Sequence, residues 1–251
     1  MSGVVVSELV LADAESLQDL GRYAARARAL DADGAVRLQA VGSVLASWVG
    51  VLPGSGLMGT GTTIGLRTSA LAVPAAVDVV VPLGAVSDRV ARPGERAVLP
   101  LPPMTVSAAW AAVSPPRSGW QVVGSVGSEA LQRVASQGIA EVADGTPDGA
   151  GSHAVTALRE RVWGRMVSVA DGGDARGADD VGGASDGRDG RDGRGPSEVG
   201  PGLEGGAGYS AALAFAAYAL GFLTPGTEST LATNGRWTRL TTQAGHALTR
   251  R

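Results

Sequence analysis

The sequence predicts an α+β protein in two parts. An N-terminal, mostly antiparallel sheet with one helix comes first, followed by a helical part closed by a β-hairpin. Three observations carry this. Short β-branched runs separated by Gly or Pro fill residues 35–82. Beyond residue 127 the apolar period changes from two to about 3.6. Between the two regimes stands "AAWAAVSPPRSGW", a Pro- and Trp-rich joint. The parts that follow are 1–112, the joint 113–127, and 128–251, which contains a Gly/Asp-rich insert at 169–207.

In chain order, "VVVSELVL" reads as a short strand. "DAESLQDLGRYAARARALDADG" reads as a helix, with Asp13 or Ser16 as N-cap and Gly34 past its end. Leu17, Leu20, Ala24 and Ala27 share one face, and Arg22, Arg26 and Arg28 the other. "AVRLQAV", "SVLASWVGVL", "TTIGLRTSALAV" and "AVDVVVPL" read as four strands. "GAVSDRVAR" makes one short helix, and "AVLPLPP" an edge segment ended by its prolines. Ser114-Pro115-Pro116 favours polyproline II, a stiff spacer. Trp110 and Trp120 bracket it and read as caps on the two cores, in preference to an aromatic clamp for a ligand.

The helical part begins with "GSEALQRVASQGIAEVADG", which aligns Leu131, Val134, Ile139 and Val142 behind Ser128 as cap. "HAVTALRERVWGRMVSV" aligns Val155, Leu158, Val162 and Met166. Residues 169–207 have almost no large apolar side chain and are expected to be disordered. Their Asp-Gly-Arg triplets are too few and too poor in proline for a collagen helix. "YSAALAFAAYALGFL" is a helix apolar nearly all round, with Phe215, Tyr218 and Phe222 on one face. Its dense apolar stretch runs only from Ala211 to Leu223, short of the ~20 residues a membrane span needs, so it reads as a buried core helix. "GRWTRLTTQAGHALTRR" closes the chain as a hairpin about Gln243-Ala244-Gly245.

Composition removes several chemistries. All 21 basic residues are Arg, so lysine Schiff bases and a Walker lysine are out. The chain has no Cys, which excludes disulfides, thiolate nucleophiles and cysteine-held metals. "MSGVVVSELVLADAES" has neither a basic leader nor a small-residue cleavage site, and a cytoplasmic protein is expected. The net charge of −3 is uneven: residues 169–207 carry nine acids against four arginines, and residues 208–251 four arginines against one acid.

Two motifs invite a functional reading and fail it. Gly54-x-Gly56-x-x-Gly59 has dinucleotide-fingerprint spacing, but such glycines must open a helix whose amides hold pyrophosphate. Here the following "TGTTIGLRTSAL" reads as a strand, Asp78 falls inside a strand, and Thr60 stands where a Walker lysine would. The glycines are therefore expected to turn the backbone between two strands. Gly183-x-Ser185-x-Gly187 fits a nucleophile elbow but lies in the insert, away from any rigid sheet. His153 and His246, the only two histidines, read as a helix N-terminal surface residue and a hairpin-turn residue. Paired carboxylates have no sequence signature, and no pair stands out. No catalytic residue, cofactor or metal ligand is nominated.

The C-terminal region carries the one positive pattern. Helices at about 128–144, 153–168 and 208–223, then a hairpin bearing Arg236, Arg239, Arg250 and Arg251, follow the order of a winged-helix module. Those arginines are the candidate nucleic-acid contacts. Against it, the Ala-rich third helix has no Arg, Asn or Gln to read bases. The leading expectation is a non-catalytic cytoplasmic interaction or structural protein that binds an unknown protein partner or itself, with no membrane span. Finally, "AVRLQAV", "WAAVSPPRSGW", "GIAEVA" and "RWTRLTTQAGHALTRR" resemble an uncharacterised family of GC-rich actinobacterial proteins. That resemblance spans nearly the whole chain except the insert and implies a two-part α+β chain, with no activity attached.

Overall fold

The computed structural model describes residues 6–56, 59–92, 97–146, 151–169 and 208–251. Ser185, its flanking glycines and the insert from residue 170 on lie outside the described residues.

After β1 (Glu8–Val10), α1 (Ala14–Leu30) starts at Asp13, whose Oδ1 accepts the Ser16 N–H at 2.7 Å. That bond satisfies one of the helix's free amides. Leu20, Tyr23, Ala24 and Ala27 form its buried stripe. The four expected strands that follow are in fact two: β2 (Ala35–Leu52) and β3 (Thr63–Pro82), one long antiparallel ribbon. The reason is a bulge. Val36, Leu38 and Ala40 face the core before it, and Leu45, Ser47 and Val49 after it, so the alternation changes phase between Gly42 and Val44. There Ser43 of β2 faces four residues of β3, 71–74, and Gly42, at φ 60°, turns the backbone beside them without ending the strand.

Next come α2 (Leu83–Val90) and β4 (Val98–Pro100), which pairs with β1. The connecting segment 101–120, with one 3-10 turn at Ala109–Ala112, leads to β5 (Gln121–Gly127). Two helices follow, α3 (Ser128–Asp144) and α4 (Ser152–Gly164). The cap of α3 is Gly127, and Ser128 is already helical. β6 (Met166–Ser168) pairs with β7 (Gly208–Ser210), and α5 (Ala211–Ala219) starts directly after it. The chain ends in β8 (Glu228–Asn234), β9 (Trp237–Thr241) and β10 (His246–Arg250).

One six-stranded antiparallel sheet, in the order β2-β3-β10-β9-β8-β5, contains strands from both halves of the chain. Its seam is β3 against β10, from His246 opposite Leu66 to Thr249 opposite Thr63. The expected terminal hairpin exists as β9–β10. It does not close a separate helical part, however, because β8 and β5 extend it on one side and β3 receives it on the other. His246 is accordingly a strand residue and not a turn residue. His153 is exposed in the first turn of α4, as expected.

The helices cover one face of the sheet. There Tyr23 of α1 stacks on Phe222, with ring centroids 5.8 Å apart, and Arg67 of β3 reaches both Asp19 and the Ala244 carbonyl. Ala211 to Ala214, Ala216 and Ala217 of α5 are buried and Phe215 is partly buried, but Tyr218 is 40% exposed and Phe222 lies past the end of the helix, so the expected Phe215–Tyr218–Phe222 face does not enter the core as a unit. The other face carries a smaller cluster: Ile64, Trp237 and Leu248, packed by Trp48, Trp110, Val113 and Trp120. The two joint tryptophans thus lie on the sheet as cover.

Candidate interaction surface

Three of the four nominated arginines meet at one end of the sheet. Arg236 is exposed in the β8–β9 turn. Arg250 ends β10, its carbonyl accepting the Gly61 N–H at 2.8 Å and its own N–H donating to Thr62 O at 3.0 Å. Arg251 donates its N–H to Arg236 O at 2.7 Å and its Nη2 to Thr238 Oγ1 at 3.2 Å. Among the described residues none of the three makes an ion pair. Arg239 stands apart. Its guanidinium lies 4.4 Å over the Trp120 ring, its Nε is buried without a hydrogen-bond partner among the described residues, and burial lowers its pKa.

The glycine-rich loop beside them is a strand-to-strand connection. Ser55 and Thr60 exchange backbone hydrogen bonds at 2.8 and 3.1 Å, and Thr62 Oγ1 donates to Gly59 O at 2.8 Å. Gly56, Gly59 and Gly61 have φ of 65°, 62° and 82°, backbone that only glycine adopts cheaply. β3 begins at Thr63, so no helix opens onto those amides. Asp78, the residue in the ribose-acid position, is held by Arg37 in two bonds of 2.7 Å. That pairing keeps its carboxyl below the ordinary carboxylate pKa.

Arg37 was not singled out by the sequence, yet it organises the outer face. Besides Asp78 it donates through Nη1 to Ala111 O at 3.1 Å and Ser114 Oγ at 2.8 Å, pinning the connecting segment across the sheet. Its partners lie 41 to 77 residues away, so no local pattern could reveal them. Trp110 then fits over Gly50, where a Cβ would stand 2.7 Å from the indole.

Beyond this covered region the β2–β3 ribbon is bare and uncharged. Residues 38–66 and 68–77 contain no charged side chain. Around the bulge Val41, Val44 and Val73 are 59%, 49% and 54% exposed, and Ala72, Pro74 and Ala76 are exposed beside them. Val41 stands opposite Ala76 and Val44 opposite Ala70 on the paired strand, so these small apolar side chains are neighbours. The outer edge of the sheet at β5 is also uncharged, with Val122 70% exposed. Neither surface shows in a linear motif, because both depend on where the sheet stops. Among the described residues no group of three or more His, Asp or Glu gathers to hold a metal, and no helix is long and apolar enough to cross a membrane.

A family model described as "Domain of unknown function (DUF8185)" matches residues 115–251, more than half of the chain. The chain belongs to the DUF8185 family. Its other part, residues 5–111, matches "Domain of unknown function (DUF8010)". No curated protein matches this DUF8185 chain. A solved structure similar over 100% of it is the DNA polymerase sliding clamp from Bacillus subtilis, at 11% sequence identity and a TM-score of 0.46. The chain spans 65% of that clamp's length. A likeness this distant bears on neither activity nor partners.

His246 supplies a pH prediction for the DUF8185 chain. Burial first, and then the charge of Arg239, hold its pKa below the ordinary 6.5. Its Nδ1 lies 3.0 Å from Thr241 Oγ1. A depressed histidine contributes stability above its unfolded pKa and loses it as pH falls through the folded value. Denaturation midpoints are therefore expected to drop on acidification below about 6.5, and His246→Gln to flatten that slope. An unchanged slope in the variant would mean that other groups set it.

Proposed function

We propose that this chain is a non-catalytic interaction protein that works in the cytoplasm and associates with a second copy of itself through the bare β2–β3 ribbon. The observation carrying this is the exposure of Val41, Val44 and Val73 within a ribbon free of charge on both strands around the bulge. Natural sheets commonly protect exposed ribbons with charge, which this one lacks around its bulge; Pro74 on β3 blocks strand addition there, so the cover would be side-chain packing over the valines. A second copy is the favoured occupant because an uncharged surface meets its own twofold mate without like-charge repulsion. The reading keeps the two parts, 1–112 and 128–251 joined by 113–127, as modules whose strands meet at the β3–β10 seam.

The test is light scattering behind size exclusion at several protein concentrations. A dimer or higher species is expected, and Val44→Glu with Val73→Glu should return the chain to monomer with an unchanged melting temperature, since both sites are exposed. A wild-type chain that stays monomeric at every concentration ends the reading.

A second reading is nucleic-acid binding by Arg236, Arg250 and Arg251, supported by the backbone contacts that bring them to one end of the sheet and by their having no ion pair among the described residues. In this reading the winged-helix order contributes only the hairpin, because α5 is packed in the core and has no groove-reading side chains. Three phosphate contacts predict a salt slope of about −2.7 in log K against log salt. Duplex DNA anisotropy that stays flat at low salt ends this second reading.

A further inference from the structure

We propose that a cavity between α3, α4 and the β6–β7 ladder binds a small carboxylate with an aryl or branched-alkyl body. This site is separate from the β2–β3 ribbon and stands or falls independently of self-association.

The cavity has a volume of about 190 Å³. An apolar cavity of about 150 Å³ accommodates benzene, so the space here suits a single ring or a short branched chain. Small residues on two elements create it: Ala130 and Gly138 on α3, and Ala211 at the start of α5. Gly138 is required for a second reason, since a Cβ there would stand 2.4 Å from Trp163, which stacks in turn on Phe215 at 4.3 Å. The stack joins α4 to α5, and Gly138 lets α3 approach the same indole closely. Val134, Val162 and Val167 complete an apolar wall.

The lining also holds polar donors, two guanidiniums and one neutral amide. Arg133 and Gln137, four residues apart and therefore on one side of α3, line the cavity together with Arg165. Arg133 is exposed and makes no ion pair among the described residues. Among the described residues the Arg165 side chain engages Glu141 through Nη2 alone, at 3.0 and 2.8 Å. An apolar wall with convergent guanidinium and amide donors is complementary to a ligand with an apolar body and an anionic head. A neutral aromatic would forgo those donors. An inorganic anion would leave the wall uncovered.

Isothermal titration of the full chain with 3-phenylpropionate, and with 3-phenylpropionamide as its neutral counterpart, tests this. The acid is expected to bind and the amide to bind at least about tenfold more weakly, matching the loss of a charge-assisted hydrogen bond. Arg133→Gln should weaken the acid by about tenfold with no change in melting temperature, because that side chain is exposed. Val134→Trp should fill the cavity and abolish binding; if that variant fails to fold, Arg133→Gln decides alone. No binding of the acid at millimolar concentration, equal binding of acid and amide, or an Arg133→Gln variant that binds like wild type each overturns the proposal.

Discussion

Replacing Gly65 with leucine is expected to destabilise the fold by about 3 kcal/mol or more, at the upper end of what overpacking costs. Gly65 lies on β3 at the seam, opposite Ala247 of β10 and Val49 of β2. A Cβ there would stand 2.2 Å from Leu220 Cδ1, 3.0 Å from Tyr23 Oη and 3.3 Å from Val49 Cγ2. Leu220 has little room to retreat, since it is buried beside Phe222 in the cluster that also holds Tyr23. Even Gly65→Ala should cost stability, and Leu220→Ala should recover part of that cost. In chemical denaturation the double variant is expected to be more stable than the sum of the two single losses, the signature of contacting sites. Because Tyr23 and Leu220 come from opposite ends of the chain, the coupling also measures how far the two halves share one core. A Gly65→Leu protein within about 1 kcal/mol of wild type, less than overpacking normally costs, would show that this contact is not formed.

The second large effect is expected at Trp237. It is 5% exposed on the outer face of the sheet, against Ile64 and Leu248 and beneath Trp48, Trp110 and Trp120. Truncating a buried tryptophan costs about 3–5 kcal/mol, and Trp237→Ala should fall in that range. Trp120→Ala should cost less, because Trp120 is only partly buried and its loss chiefly uncovers Arg239. The comparison separates cover from clamp. A cluster that serves the fold makes Trp237 dominant in denaturation midpoints. A cluster arranged for a ligand would leave stability nearly unchanged in both variants, and that result would revive the aromatic-clamp alternative.

Local signals were legible where the physics is local. An amphipathic run headed by Asp13 and Ser16 announced α1, of which Asp13 proved the cap, and the β-branched stretches of 35–82 announced strands. The glycines at 54, 56 and 59 joined two strands, as the β-branched residues after them implied. What failed locally has a physical cause in each instance. The phase reversal at Gly42 looks like a gap between strands, whereas a bulge carries the ladder through it. "ESTLATN" and "QVVGSVG" carry weak apolar alternation and become β8 and β5 only because neighbouring strands supply the hydrogen bonds. Ser128 has the right chemistry for a cap, yet its hydroxyl accepts the Thr227 N–H at 3.3 Å instead.

The candidate surfaces were less legible than the fold. Arg236, Arg250 and Arg251 do converge, but Arg239 of the same hairpin is taken up by Trp120. The bare ribbon and the cavity at α3 were invisible, because exposure is a property of what fails to pack.

By itself the amino-acid order determined which segments turn, cap or alternate, and which chemistries have no side chain to perform them, since those follow from backbone sterics and residue inventory. Only the tertiary structure decided that β10 would dock on β3, that Arg37 would tie down the joint, and that valines on β2 and β3 would stay uncovered. Each of those outcomes depends on surfaces meeting across tens to hundreds of residues, where the free energy resides in shape and burial and leaves no trace in neighbouring letters.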